Sequence, residues 1–170
     1  MHKAFVLSLF DTGLGAIRSL GRAGIPVIGL DADPQMPGFR SRYCEARQCP
    51  HPIYAPEALL TFLIAEGKRL DAPGVLFPAS DAFALFLSRY RQELEAYYYF
   101  ILPEANVMEA IIDKRRQYEM AARTGTPYPT TLYPQTMEEV RQIKDQLQYP
   151  AFIKPCVGHL WREKFGGTHK

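Results

Sequence analysis

Two lysines stand in settings that suit a polyphosphate. In Phe152-Ile153-Lys154-Pro155 a period of two puts Phe152 and Lys154 on one face of an extended segment, and the following proline holds Lys154 extended. A cation in so apolar a strand needs an anionic partner or a route to water. In Asp113-Lys114-Arg115-Arg116 the lysine falls near a helix start, where free backbone N–H groups and the helix dipole favour phosphate. Segment 151–170 adds Arg162, Lys164 and Lys170 against the single carboxylate of Glu163, with Gly158, Gly166 and Gly167 among them. Four cations against one carboxylate leave +3 on a glycine-bearing loop able to fold over a polyphosphate. The competing reading is an edge-strand lysine reaching solvent and a frayed, solvated tail.

A second set lies near the N-terminus. Gly13-Leu14-Gly15-Ala16-Ile17-Arg18 joins a strand to a helix where a dinucleotide fingerprint would sit, with Asp31 or Asp33 nearly the expected distance downstream. Arg18 occupies the place of the third glycine, so the segment reads as a tight turn rather than an NAD or FAD site. Gly13, Gly15, Asp33 and Asp81 still fall at the carboxyl ends of parallel strands and form a candidate substrate crevice. No metal site is expected, because Cys44, Cys49 and His51 match no standard zinc spacing. The four histidines build no Ser/His/Asp triad.

The elements that position these residues follow from pattern. Lys3 to Phe10 is a continuous apolar run, Asp11-Thr12 offers an N-cap, and Leu14, Ile17 and Leu20 recur at near-helical spacing until Gly24. Val27-Ile28-Gly29-Leu30 completes a strand–helix–strand crossover. After a loop from Asp31 to Ser41, a helix starts at Pro56, a strand spans 74–78, and a helix capped by Ser80 or Asp81 carries Phe83, Phe86, Leu87, Tyr90 and Leu94 on one stripe. A strand spans Tyr97 to Leu102, rather than a base-stacking platform. These alternations predict a small doubly wound parallel sheet over 1–103. Residues 104–170 change grammar: a helical stretch with a new cap at Asp113 and a stop at Gly125, a strand Thr130–Tyr133, a capping box opening at Thr136 for a helix to about Leu147, and a strand Ala151–Pro155.

Composition narrows the function classes. The 170 residues are 47% hydrophobic and 22% charged, the balance of a folded globular chain, and a formal charge of +2 is too small for a duplex-binding protein. The longest apolar stretches fall short of the ~20 residues that span a bilayer, and three cysteines cannot all pair within one chain. A cytoplasmic protein, with neither nucleic acid nor membrane as partner, is expected.

The order Asp113-Lys114, Gly125-Thr126-Pro127-Tyr128-Pro129-Thr130, the Thr136 helix, then Tyr149-Pro150-Ala151-Phe152-Ile153-Lys154-Pro155 and a glycine-bearing loop resembles the opening of an ATP-grasp domain. The preceding hundred residues look like the Rossmann-like pre-ATP-grasp domain. Lys154-Pro155 followed by Gly158-His159-Leu160-Trp161-Arg162-Glu163 and Phe165-Gly166 is similar to the ATP-dependent carboligases of that superfamily, the carbamoyl-phosphate-synthase-like proteins.

The resemblance implies a pre-ATP-grasp domain at 1–103 and the first, incomplete α+β part of an ATP-grasp domain at 104–170. It implies ATP bound by Lys114 and Lys154 under a lid containing Gly158, His159, Arg162, Lys164, Gly166, Gly167 and Lys170. His159, Trp161 and Arg162 stand where the family's lid more often has small residues. It further implies an acylphosphate route joining a small-molecule carboxylate to an amine or thiol, with Mg²⁺ ligands beyond residue 170. The chain is then the N-terminal fragment of a ligase, inactive alone. The alternatives are a stand-alone α/β ligand-binding or regulatory module, and an interaction module that dimerises.

Overall fold

The computed structural model describes residues 2–165. The chain divides into two compact units, one ending at Met108 and the other starting at Glu109. In the first, β1 (Ala4–Leu7) and β2 (Val27–Asp31) are buried throughout, as strands covered on both faces must be. Helix α1 (Asp11–Arg22) connects them, and Gly24, at φ +75°, supplies the left-handed residue just beyond it. Then come β3 (Glu45–Gln48), α2 (Pro56–Gly67), β4 (Gly74–Pro78), α3 (Asp81–Arg89), the short α4 (Arg91–Leu94) and β5 (Tyr98–Tyr99).

All five strands are parallel, in the order β3-β2-β1-β4-β5. The expected doubly wound sheet is therefore present. Alternation along β1 sends Phe5 and Leu7 to one face, where they join Leu59, Leu63, Phe83 and Leu87, while Val6 packs with Leu9 and Ile17 on the face of α1. Right-handed crossovers account for this split, because α1 leads toward one edge of the sheet and α2 and α3 lead toward the other.

Three sequence-based boundaries are corrected. The helix expected to be capped by Asp11-Thr12 starts at Asp11, with Phe10 as its N-cap, so Gly13 and Gly15 lie inside α1 rather than in the turn before it. Residues 45–48, beyond the loop expected to end at Ser41 and given no element by the sequence reading, form an edge strand whose polar side chains fit only one paired side. The strand expected over 97–102 is paired only at Tyr98–Tyr99.

Buried acids sit in this unit. Burial, with Asp31 nearby, pushes the Cys49 thiol up to about 12. An acid with a raised folded-state pKa contributes stability that is complete below its unfolded value and lost as pH rises toward the folded one. Iodoacetamide at mildly alkaline pH is therefore expected to label exposed Cys156 and spare Cys49, read by peptide mass spectrometry. Equal labelling of the two would contradict that burial.

Helix α5 (Ala105–Ile112) follows Pro103 and runs through the division between the units. The second unit holds α6 (Lys114–Thr124), α7 (Met137–Ile143), a 3₁₀ turn over 144–146 and α8 (Gly158–Phe165). Sequence chemistry sets its helix ends. The Asp113 side chain accepts from the N–H groups of Arg115 and Arg116, and Gly125 closes α6 at φ +69°. Thr136 accepts from Glu139 N–H, and the Glu139 carboxylate accepts from Gln135 N–H, one residue upstream of the usual capping-box partner.

The strands expected at 130–133 and 151–155 do not form, since among the described residues neither segment has a ladder partner. The loop expected from Val157 onward is helical over 158–165, where the residues between Gly158 and Gly166 are mostly competent helix formers. No residue of α6 or α7 is buried, and Phe152 and Ile153 are 86% and 102% exposed.

Candidate functional site

The crevice of the first unit grows from its strand order. Because β2, β1 and β4 are neighbours, the segments that follow them meet at the carboxyl edge of the sheet, and β1 and β4 flank the point where the winding reverses. Ala79 N–H donates to the Leu7 carbonyl at 2.7 Å, tying the β4 turn to the end of β1. Ser8 holds φ +83°, a left-handed conformation unusual for serine, at that same point.

Of the four residues predicted for this crevice, Gly13 is buried against Ser8, whereas Gly15, Asp33 and Asp81 are exposed. Asp33 accepts from Gln35 N–H at 2.8 Å in its own turn, and Asp81 opens α3 behind the Ser80 cap. Asp31, which fingerprint spacing offers to a ribose, has another use. Its carboxylate accepts from Leu9 N–H at 2.7 Å and from Asp33 N–H at 3.0 Å, so it positions both crevice turns from within the protein.

In the second unit the two lysines come from segments joined by the backbone. Lys114 N–H donates to the Cys156 carbonyl at 2.9 Å, which lays the start of α6 beside the chain just after Lys154. Lys114 is half-buried, while Lys154 is exposed with its ammonium 5.7 Å from the centre of the Phe152 ring, as their shared face requires.

One expectation about this site fails. The N–H groups opening α6 are not free for phosphate, because Cys156 takes that of Lys114 and Asp113 takes those of Arg115 and Arg116. Anion binding here falls to the side-chain cations.

Gly158 and Lys164 lie on α8. The side chains of His159 and Arg162, and all of Gly166, Gly167 and Lys170, lie outside the described residues. Tyr133 joins the site without a sequence signal beyond an ordinary strand pattern. Its hydroxyl is shielded with no hydrogen-bond partner among the described residues, and Arg115 sits 5.2 Å from its ring centre. Burial, then the nearby Cys156, raises its phenol pKa. Among the described residues no group of three or more His, Cys, Asp or Glu side chains is arranged to hold a metal ion, so these residues do not build a magnesium site. Nor is any described helix long and apolar enough to cross a membrane.

No family model matches the chain. It is 26% identical over 156 residues to the formate-dependent phosphoribosylglycinamide formyltransferase of Shewanella frigidimarina and 25% identical to that of Rhodococcus jostii. These alignments cover 91% of this chain but only 37% and 36% of the relatives, so the chain spans little more than a third of their length. Among solved structures, the L-amino acid ligase of Bacillus licheniformis superposes with TM-score 0.62 and 19% identity over 92% of this chain and 37% of that one. The N5-carboxyaminoimidazole ribonucleotide synthetase of Thermus thermophilus gives 0.59 and 17% over 91% and 39%. The biotin carboxylase domain of the Hydrogenobacter thermophilus 2-oxoglutarate carboxylase, crystallised with MgADP, ADP and bicarbonate, gives 0.52 and 19% over 88% and 34%. These structural neighbours are ATP-grasp enzymes, and the fold of this chain is shared with about a third of their length.

Proposed function

We propose that the chain is the nucleotide-gripping and substrate-crevice part of an ATP-dependent ligase that joins a small-molecule carboxylate to an amine. Residues 1–103 act as the pre-ATP-grasp domain and 104–170 as the first part of the ATP-grasp domain. The observation that carries this reading is the Lys114–Cys156 backbone hydrogen bond, because it brings the segments of both candidate lysines to one place. Lys114 and Lys154 neutralise the phosphates, Gly158 and Lys164 belong to the covering element, and Gly15, Asp33 and Asp81 line the crevice for the acceptor, with Gly13 buried behind them against Ser8.

In the reaction a carboxylate oxygen attacks the γ-phosphorus and the bond to the β-phosphate oxygen breaks, releasing ADP. The amine then attacks the acyl carbon, phosphate leaves, and the amine proton goes to solvent. Magnesium, when bound, supplies charge neutralisation at the phosphates, and the lysines hold the nucleotide in line. The three free cysteines support a reducing, cytoplasmic setting.

The test is nucleotide binding by calorimetry. Lys154→Ala and Lys114→Ala are each expected to weaken ATP binding about tenfold or more, the loss of one charge-assisted contact. The exposed-surface control Lys144→Ala should leave it unchanged. ATP affinity indifferent to both site lysines would overturn the reading.

A further inference from the structure

A cationic cavity opens at the amino edge of the first unit's sheet, the edge opposite the crevice. Its volume is about 400 Å³, and Lys3, Gly21, Gly24, Arg42 and Tyr43 line it. Two glycines keep one wall low. A Cβ on Gly21 would come within 2.6 Å of the Tyr43 carbonyl oxygen, and Gly24 has the left-handed φ of +75°. The Tyr43 backbone therefore lies directly on the end of α1. Arg42 donates through Nη2 to the Tyr43 hydroxyl at 2.9 Å, with its guanidinium carbon 5.0 Å from the ring centre. Arg22, from the last turn of α1, places its guanidinium carbon 5.7 Å from the same ring centre.

Among the described residues these cations, Lys3, Arg22 and Arg42, are in no ion pair, and the lining carboxylate of Glu45 is taken by Arg47 at 2.8 Å. Gathering like charges about one ring without an anion is unfavourable. The hydrogen bond from Arg42, and next that from Arg22, lowers the Tyr43 phenol pKa, so the local field already favours negative charge.

We propose that this cavity is a binding site for a small phosphorylated molecule, its phosphate gripped by the lining cations Arg42 and Lys3, with Arg22, outside the lining but against the same Tyr43 ring, adding positive charge. Guanidinium groups pair with phosphate oxygens in a fixed, often bidentate geometry that a lone ammonium cannot match. The cavity is roomier than free phosphate needs, so a phosphate monoester with a small organic body fits it better. Its place at the amino edge separates it from the carboxyl-edge crevice and makes it an effector site rather than a reaction site.

Calorimetry of the 170-residue chain with glycerol 3-phosphate and with inorganic phosphate tests the proposal. Glycerol 3-phosphate is expected to bind saturably, Arg42→Gln should weaken it about tenfold, and Arg22→Gln, whose charge acts from beside the lining, should weaken it about threefold. Lys114→Ala should leave it unchanged. Binding should also alter the tyrosine ultraviolet difference spectrum, and Tyr43→Phe should abolish that change even where an arginine variant folds poorly. Equal affinity for both probes with the same arginine dependence would support the site and assign it to free phosphate. The proposal is overturned by the absence of saturable binding, by binding indifferent to both arginine variants, or by binding lost in Lys114→Ala and kept in Arg42→Gln.

Discussion

Gly13→Ala is expected to destabilise the first unit by about 3 kcal/mol or more, whereas Gly15→Ala, two residues along the same helix, should stabilise it by about 0.5–1 kcal/mol. A Cβ at Gly13 would sit 1.8 Å from the Ser8 carbonyl oxygen and 2.8 Å from its carbon, both backbone atoms. Ser8 cannot easily retreat. It already holds φ +83°, its N–H is bonded to the Leu30 carbonyl at 2.9 Å, and the next N–H, from Leu9, is held by Asp31. The clash must therefore deform the β1–α1 turn itself. Gly15 has nothing within 4 Å of its added Cβ and sits inside α1, so alanine there only removes backbone entropy from the unfolded chain.

Thermal denaturation checks both, with a loss of roughly 12 °C or more expected for Gly13→Ala at about 4 °C per kcal/mol. Equal melting of the two variants would mean that the close approach at Gly13 does not exist. The pair also separates two uses of glycine. If the exposed Gly15 is where a ligand's backbone contact occurs, its alanine variant should lose ligand affinity while gaining stability.

What the sequence made legible was local chemistry and continuous burial. Asp113, Gly125 and Thr136 end or begin their helices where expected, because a cap is a bond between a side chain and N–H groups two or three residues away, or a φ that glycine accepts readily. β1 and β2 read as buried parallel strands because only a covered strand tolerates such unbroken apolar runs. β3 was illegible for the complementary reason. Glu45-Ala46-Arg47-Gln48 has no apolar pattern, and only its ladder to Ile28–Asp31 makes it a strand. Ala151–Pro155 is the inverse, with strand composition but no partner among the described residues.

The candidate site shows the same limit. Asp113 was read both as a cap and as the neighbour of free N–H groups, yet a cap that succeeds consumes those groups. Spacing also cannot reveal that Lys114 N–H meets Cys156, since that closure depends on how the whole second unit folds. The amino-edge cations were invisible as well. Arg22 and Arg42 are ordinary surface residues in sequence, and only the packing of Tyr43 on Gly21 brings them to one ring.

The sharpest separation of scaffold from ligand groups in the crevice should come from two neighbouring aspartates. Asp31→Asn is expected to cost about 2–3 kcal/mol, and Asp33→Asn no more than about 0.5 kcal/mol. Asp31 is only 8% exposed and Leu9 not at all, so the Leu9 N–H has no water to fall back on. Asparagine keeps the shape but turns one oxygen into an NH₂ donor. Whichever way the amide is oriented, it faces either the Leu9 or the Asp33 N–H with a second donor, and the remaining bond loses its charge assistance. Exposed Asp33 uses its carboxylate only to accept from Gln35 N–H, a bond that water or an amide oxygen can replace. Urea unfolding of both variants measures the difference. If Asp33 instead serves the ligand, its asparagine variant will fold like the parent and lose ligand affinity, while Asp31→Asn will lose both together because the turns it ties set the crevice. Equal unfolding midpoints for the two variants would remove Asp31 from that positioning role.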